Sequence, residues 1–142
     1  MYNPTRDQAR QFLFDAWHKY RNKQILSDLE SLSVGHILRH PEYHALLDDA
    51  DANLDRDWRP EHGETNPFLH LSMHLAISEQ LSINQPAGIQ AAYTRLCNRL
   101  GDDHDAQHTV MDCLAEMIWR AQRDAAPPDG AAYIACLEKA AR

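Results

Sequence analysis

The chain has 142 residues, with 14 Lys and Arg against 21 Asp and Glu, and a formal net charge of −7 with histidines neutral. That length favours one domain, residues 1–142, able to bury a core without staples, and 44% hydrophobic with 25% charged residues is the balance of a soluble globular protein. The acidic balance, with no basic stripe, argues against nucleic acid as a partner, and no apolar run is long enough to make the membrane one.

In chain order, the N-terminus lacks the basic and apolar pattern of a signal peptide. Thr5-x-x-Gln8 supplies a helix start, and Ala9, Phe12, Leu13, Ala16, Trp17 and Tyr20 follow helical spacing. Ser27-Asp28-Leu29-Glu30 is a second capping-box pattern, predicting a helix with Leu29, Leu32 and His36 on one side. Pro41 ends that helix and begins a short third one, residues 41 to about 48. Residues 48–66 read as a long acidic connection, with Trp58 available to fold it down. Asn66-Pro67 restarts a helix to about residue 83. Ile89, Ala92, Tyr93, Leu96, Cys97 and Leu100 mark the next, closed by Gly101. Asp102 or Asp103 then caps the longest helix, to about residue 123, and Pro127-Pro128-Asp129-Gly130 precedes a last Ala-rich helix. No strand pattern occurs. The expectation is an all-α fold, a helical bundle of four main helices with shorter additions.

Histidines carry the chemistry. His70 and His74 lie four residues apart and share a sector with Ile77 and Leu81. His104 and His108 repeat the spacing, on a side with Met111, Ala115, Ile118 and Trp119. Asp112 continues that ladder at the edge of the apolar side, and Glu116 lies beyond it. His40 and His44 flank Pro41 at a joint between helices, with His36 one turn earlier. Imidazoles on an apolar side need partners, and ligands four apart on rigid helices suit a metal in a bundle. The expected ligands are therefore His70, His74, His104 and His108, with Asp112, and with His40 or His44 completing the shell. Imidazole with carboxylate suits iron or zinc, one or two divalent ions per chain. Glu116 is left as a ligand of a second ion, a partner that orients a histidine, or a solvent-facing residue. His18 and His62 read as exposed.

Other chemistries find little support. Residues 49–57 imitate the start of a calcium loop, but Leu54 stands where Gly is needed and Pro60 where the bidentate Glu belongs. There is no nucleophile elbow and no phosphate-cradling loop. Cys97, Cys113 and Cys136 are odd in number and read as isolated thiols, pointing to a reducing, cytoplasmic compartment.

Asn3-Pro4-x-Arg6-Asp7, His40-Pro41-Glu42-Tyr43-His44, residues 66–74 (NPFLHLSMH) and Glu116-Met117-Ile118-Trp119 together resemble a family of small proteobacterial proteins catalogued as a domain of unknown function, number eighteen-forty-one. The resemblance spans essentially the whole chain and implies a bacterial, single-domain protein. More distantly, the His pairs are similar in concept to haemerythrin-like and DinB-like metal-binding bundles. The chain lacks an inward His-x3-Glu, and its Asp112 is four rather than five residues after His108. A metal-binding bundle is thus the expected function, its reaction unassigned. The alternative is a non-enzymatic interaction or assembly module, such as a homodimer, with structural histidines.

Overall fold

Each of the first two helices begins with a reciprocal capping box. Thr5 accepts from the Gln8 backbone N–H while the Gln8 side chain accepts from that of Thr5. Ser27 and Glu30 do the same. They open α1 (Arg6–Arg21) and α2 (Asp28–Leu38) in a computed structural model that describes residues 5–58 and 66–142. A 3-10 turn (Pro41–Tyr43), α3 (His44–Leu47) and α4 (Ala50–Asn53) follow, then α5 (Pro67–Ile83), α6 (Ile89–Leu100), α7 (Asp103–Asp124) and α8 (Gly130–Ala140). No strand occurs among the described residues, so the fold is all-α. None of their helices is long and apolar enough to cross a membrane. Contacts divide the chain into two units, Met1–Leu75 and Ala76–Arg142, and α5 runs through the boundary.

The first unit is built on α1 and α2. Leu13, Phe14 and Trp17 of α1 pack in one cluster with Ile37, Leu47, Phe68 and Leu71. Arg10 lies one turn before them on the same side and is only 3% exposed. Its guanidinium donates to the main-chain oxygens of Leu54 and Arg56 at 2.9 and 2.8 Å and lies 4.7 Å from the Phe68 ring centre. These bonds satisfy a charge that burial would otherwise penalise. Burial still lowers the Arg10 pKa from its ordinary value. The clamp pins the chain after α4, and Trp58 meets Phe68 edge-on at 5.5 Å. The long connection thus folds down as far as it is described. Residues 59–65, with His62 and Pro60, lie outside the described residues.

α2 turns a different side inward from the one its leucines suggested. Glu30, Ser33, Val34 and Ile37 are buried, while Leu29 and Leu32 are 38% and 41% exposed. The small Ser33 satisfies its hydroxyl on the Leu29 carbonyl at 2.8 Å, and Glu30 pairs with Lys19 of α1 at 2.8 Å. These polar residues are satisfied where they lie, so the inward side of α2 need not be the one carrying the leucines.

In the second unit α6, α7 and α8 pack on one another. Ile89, Ala92, Leu96, Val110, Tyr133 and Leu137 are among its most buried apolar side chains. Gly101 ends α6 at φ 75, a left-handed conformation that favours glycine. Along α7 the buried residues are Ala106, Val110, Met111, Cys113 and Leu114. Apart from Met111, they lie roughly a quarter to a half turn around the helix from the expected side. Ala115 is exposed, and Ile118 and Trp119 are 39% and 56% exposed. Both sides of α7 carry apolar residues at helical spacing. The inner one holds Cys113, which is joined to Cys136 of α8 by a disulfide. The reading of three isolated thiols is corrected here, and with it goes the support they gave to a reducing compartment.

Lys19 and the Ser27 cap hold the Glu30 carboxyl at about 2, below its ordinary 4.5. A lowered carboxyl pKa stabilises the fold above pH 4.5, and this contribution is lost as pH falls toward 2. Glu30→Gln is expected to melt below the parent protein at pH 7, with the gap closing as pH drops through that window. Thermal melts followed by circular dichroism at stepped pH check this.

Candidate metal centre

The site begins where α2 is forced to stop. Pro41 has no N–H to offer the Ile37 carbonyl one turn back, so the end of α2 leaves main-chain oxygens in need of donors. Two imidazoles help to supply them. His40 Nδ1 donates to the His36 carbonyl at 2.7 Å, and His44 Nε2 donates to the Ile37 carbonyl at 2.9 Å. A carbonyl only accepts, so each of those nitrogens carries the proton. In their neutral forms the two rings are opposite tautomers. His40 then presents the Nε2 lone pair, which is the form a metal requires, with its other nitrogen anchored on a main-chain oxygen as metal-bound histidines usually are.

His70 and His74 come from α5, which Asn66 starts by accepting from the backbone N–H groups of Phe68 and Leu69, with Pro67 in the first helical position. One turn apart, the two rings meet edge to face with centres 4.9 Å apart. The His40 ring lies 4.8 Å from His70 and 4.9 Å from His74. One ring nitrogen from each of His40, His70 and His74 lies within 4.8 Å of the others. The Nε2 atoms of His40 and His70 are 3.1 Å apart. Two nitrogens on one tetrahedral zinc, with bonds of about 2.05 Å, would be about 3.3 Å apart. The spacing therefore fits either an N–H···N hydrogen bond or a shared cation. His74 is fully buried and His40 is 3% exposed. This His-rich group is able to hold a metal.

Aromatic rings wall the group. His36 stacks on His74 at 4.8 Å, and Tyr43 lies parallel to His40 at 5.3 Å. Burial, and secondarily the Glu42 charge, pushes the Tyr43 phenol up. The end of α2 adds its partial negative charge, which favours a cation nearby.

His44 packs on Trp17, ring centres 4.6 Å apart, and its Nε2 is committed to Ile37. His104 and His108 are half-buried on α7 in the second unit, their rings 4.3 Å apart. Asp112 is exposed there, on a stretch of α7 whose inner side is taken by Cys113 and Leu114. Glu116 is bound to Arg120 at 2.7 Å, so it faces solvent in an ion pair. His18 is exposed, as its position opposite the α1 stripe implied. Arg10 escaped the sequence reading, although its spacing to Leu13, Phe14 and Trp17 was available as a signal.

Residues 5–139 match the model of a family described as Domain of unknown function (DUF1841). No curated protein and no solved structure matches the chain.

Opposite tautomers at the α2 end are directly measurable. Long-range proton–nitrogen spectra of the metal-free protein are expected to show neutral His40 protonated at Nδ1 and neutral His44 at Nε2. The same tautomer at both rings would contradict this geometry.

Proposed function

We propose that this chain, which belongs to the DUF1841 family over nearly its whole length, is a metal-binding helical protein whose ion is iron or zinc. The observation that carries the reading is the convergence of His40, His70 and His74 nitrogens within 4.8 Å of one another. Neutral imidazole nitrogen selects borderline transition metals over magnesium or calcium. A three-histidine set leaves a coordination position for water, a substrate or one further ligand. For that last role the sequence nominates His104 and His108, one turn apart on α7. Asp112 and His44 drop to lesser candidates, the one exposed and the other committed to a carbonyl. Bound metal would supply Lewis acidity to whatever occupies the open position. His40 holds its lone pair in place through the His36 carbonyl, while α5 fixes the spacing of the other two rings.

Protein purified without a polyhistidine tag and stripped of metal tests this. Titration with Zn(II), or with Fe(II) under anaerobic conditions, should load about one ion per chain by elemental analysis. His74→Ala should weaken binding at least about 100-fold, since even lesser changes around a metal cost 10–100-fold. His44→Gln should leave it within a few-fold, and His108→Ala reads whether a fourth imidazole takes part. Failure to load either metal, or equal binding by His74→Ala, would defeat the proposal.

A second reading rests on the outward turn of α2, where Leu29 and Leu32 are 38% and 41% exposed. Here the chain is an assembly module that pairs with a second copy through that stripe. Analytical ultracentrifugation should then show a dimer, indifferent to metal, that Leu29→Ser with Leu32→Ser converts to monomer. A monomer at all concentrations removes this reading.

A further inference from the structure

A cavity of about 310 Å³ opens in the second unit, and both halves of the Cys113–Cys136 disulfide lie on its wall. No histidine lines it. Of the two cysteines, Cys113 is only 4% exposed, and Cys136 is half-buried and so the more accessible to solvent. The volume is at the small end of ligand sites, large enough for a small molecule and too small for a protein loop. Arg120 and Arg123 line it too, but Glu116 and Asp124 bind them at 2.7 and 2.8 Å. The lining thus sets no strong barrier of one sign against a thiolate entering.

We propose that Cys113–Cys136 is a reversible redox pair, opened through this cavity by a low-molecular-weight thiol attacking Cys136. The thiolate sulfur bonds to Cys136 Sγ as the Sγ–Sγ bond breaks. Cys113 leaves with the electron pair and takes a proton from solvent. A second thiol molecule, again as thiolate, attacks the incoming sulfur of the mixed disulfide and releases the Cys136 thiolate, which is protonated in turn. Two small thiols become one small disulfide, and two electrons pass to the protein. α8 keeps non-covalent holds throughout. Tyr133 donates to the Gln80 side chain at 2.7 Å, Arg95 pairs with Glu138 at 2.9 Å, and Leu137 is fully buried. These ties hold the two thiols near enough to re-form the bond, which makes the exchange reversible.

The test uses the intact native protein in glutathione and glutathione-disulfide mixtures of stepped ratio, quenched in acid, alkylated and mapped by peptide mass spectrometry. Cys113 and Cys136 should convert together between disulfide and thiol, and return when the ratio is reversed. In Cys113→Ser, Cys136 should take up one glutathione at least tenfold faster than Cys113 does in Cys136→Ser. Three outcomes overturn the proposal: a disulfide reduced only after denaturant is added, two thiols that persist in fully oxidising mixtures, or equal adduct rates at the two positions. The first two are read on the parent protein, so they decide the matter even if a variant fails to fold.

Discussion

One missing N–H organises the first unit. Pro41 cannot continue α2, so the carbonyls of its last turn must find other donors. Backbone N–H groups of Arg39 and His40 reach back to His36 and Ile37 at 3.2 and 2.9 Å, and two imidazoles add their own hydrogen bonds to the same two oxygens. Capping of a helix end by basic side chains is ordinary. Its consequence here is chemical. A cap made through Nδ1 leaves Nε2 as a lone pair directed away from the main chain, whereas a cap made through Nε2 consumes that position. His40 and His44 perform the same structural task, and only His40 emerges with the nitrogen that converges on α5.

That difference explains what the sequence could and could not tell. The spacing of His70 and His74 was enough to place both on one side of α5, because helical periodicity is local. The joint at Pro41 was also legible, and so was the presence of imidazoles around it. Which of His40 and His44 faces the α5 pair depends on the path of the chain through the 3-10 turn. That path is set by packing of Tyr43 and Leu47 and not by any spacing. Asp112 was nominated for the same local reason as His70 and His74, and it is exposed on α7. The inner side of that helix is the one with Ala106, Val110, Cys113 and Leu114, and i+4 spacing from His108 does not carry Asp112 onto it.

Helix starts and stops were the most legible part of the fold, since capping boxes and proline act within a few residues. Helix facing was less so. α2 and α7 each carry apolar residues on two sides, and local pattern cannot rank them. On α2 the buried side contains Ser33 and Glu30, whose polar groups are satisfied by the Leu29 carbonyl and Lys19. On α7 the buried side is selected by a partner on α8, 23 residues away in sequence at the disulfide. Arg10 belongs with these cases. Its position on the α1 stripe was plain, yet a buried guanidinium becomes acceptable only when main-chain oxygens from beyond α4 come to meet it.

The histidine group also has a self-consistent form without an ion. With His40 fixed as the Nδ1–H tautomer, its Nε2 lone pair faces His70 Nε2 at 3.1 Å. Two lone pairs at that distance would repel, so in the metal-free protein His70 must supply the N–H. A proton then occupies the line between the rings where, on the proposed reading, a cation would be shared. Loading a metal there would require His70 to give up that Nε2 proton, by moving to the other tautomer or by releasing it to solvent. His40 needs no such change, since its tautomer is already the ligating one. On the proposed reading, the main-chain anchor would thus make one ring a preformed ligand and leave its neighbour as the ring that must switch, so the cost of admitting an ion would fall on His70 while the frame around it is already built by folding.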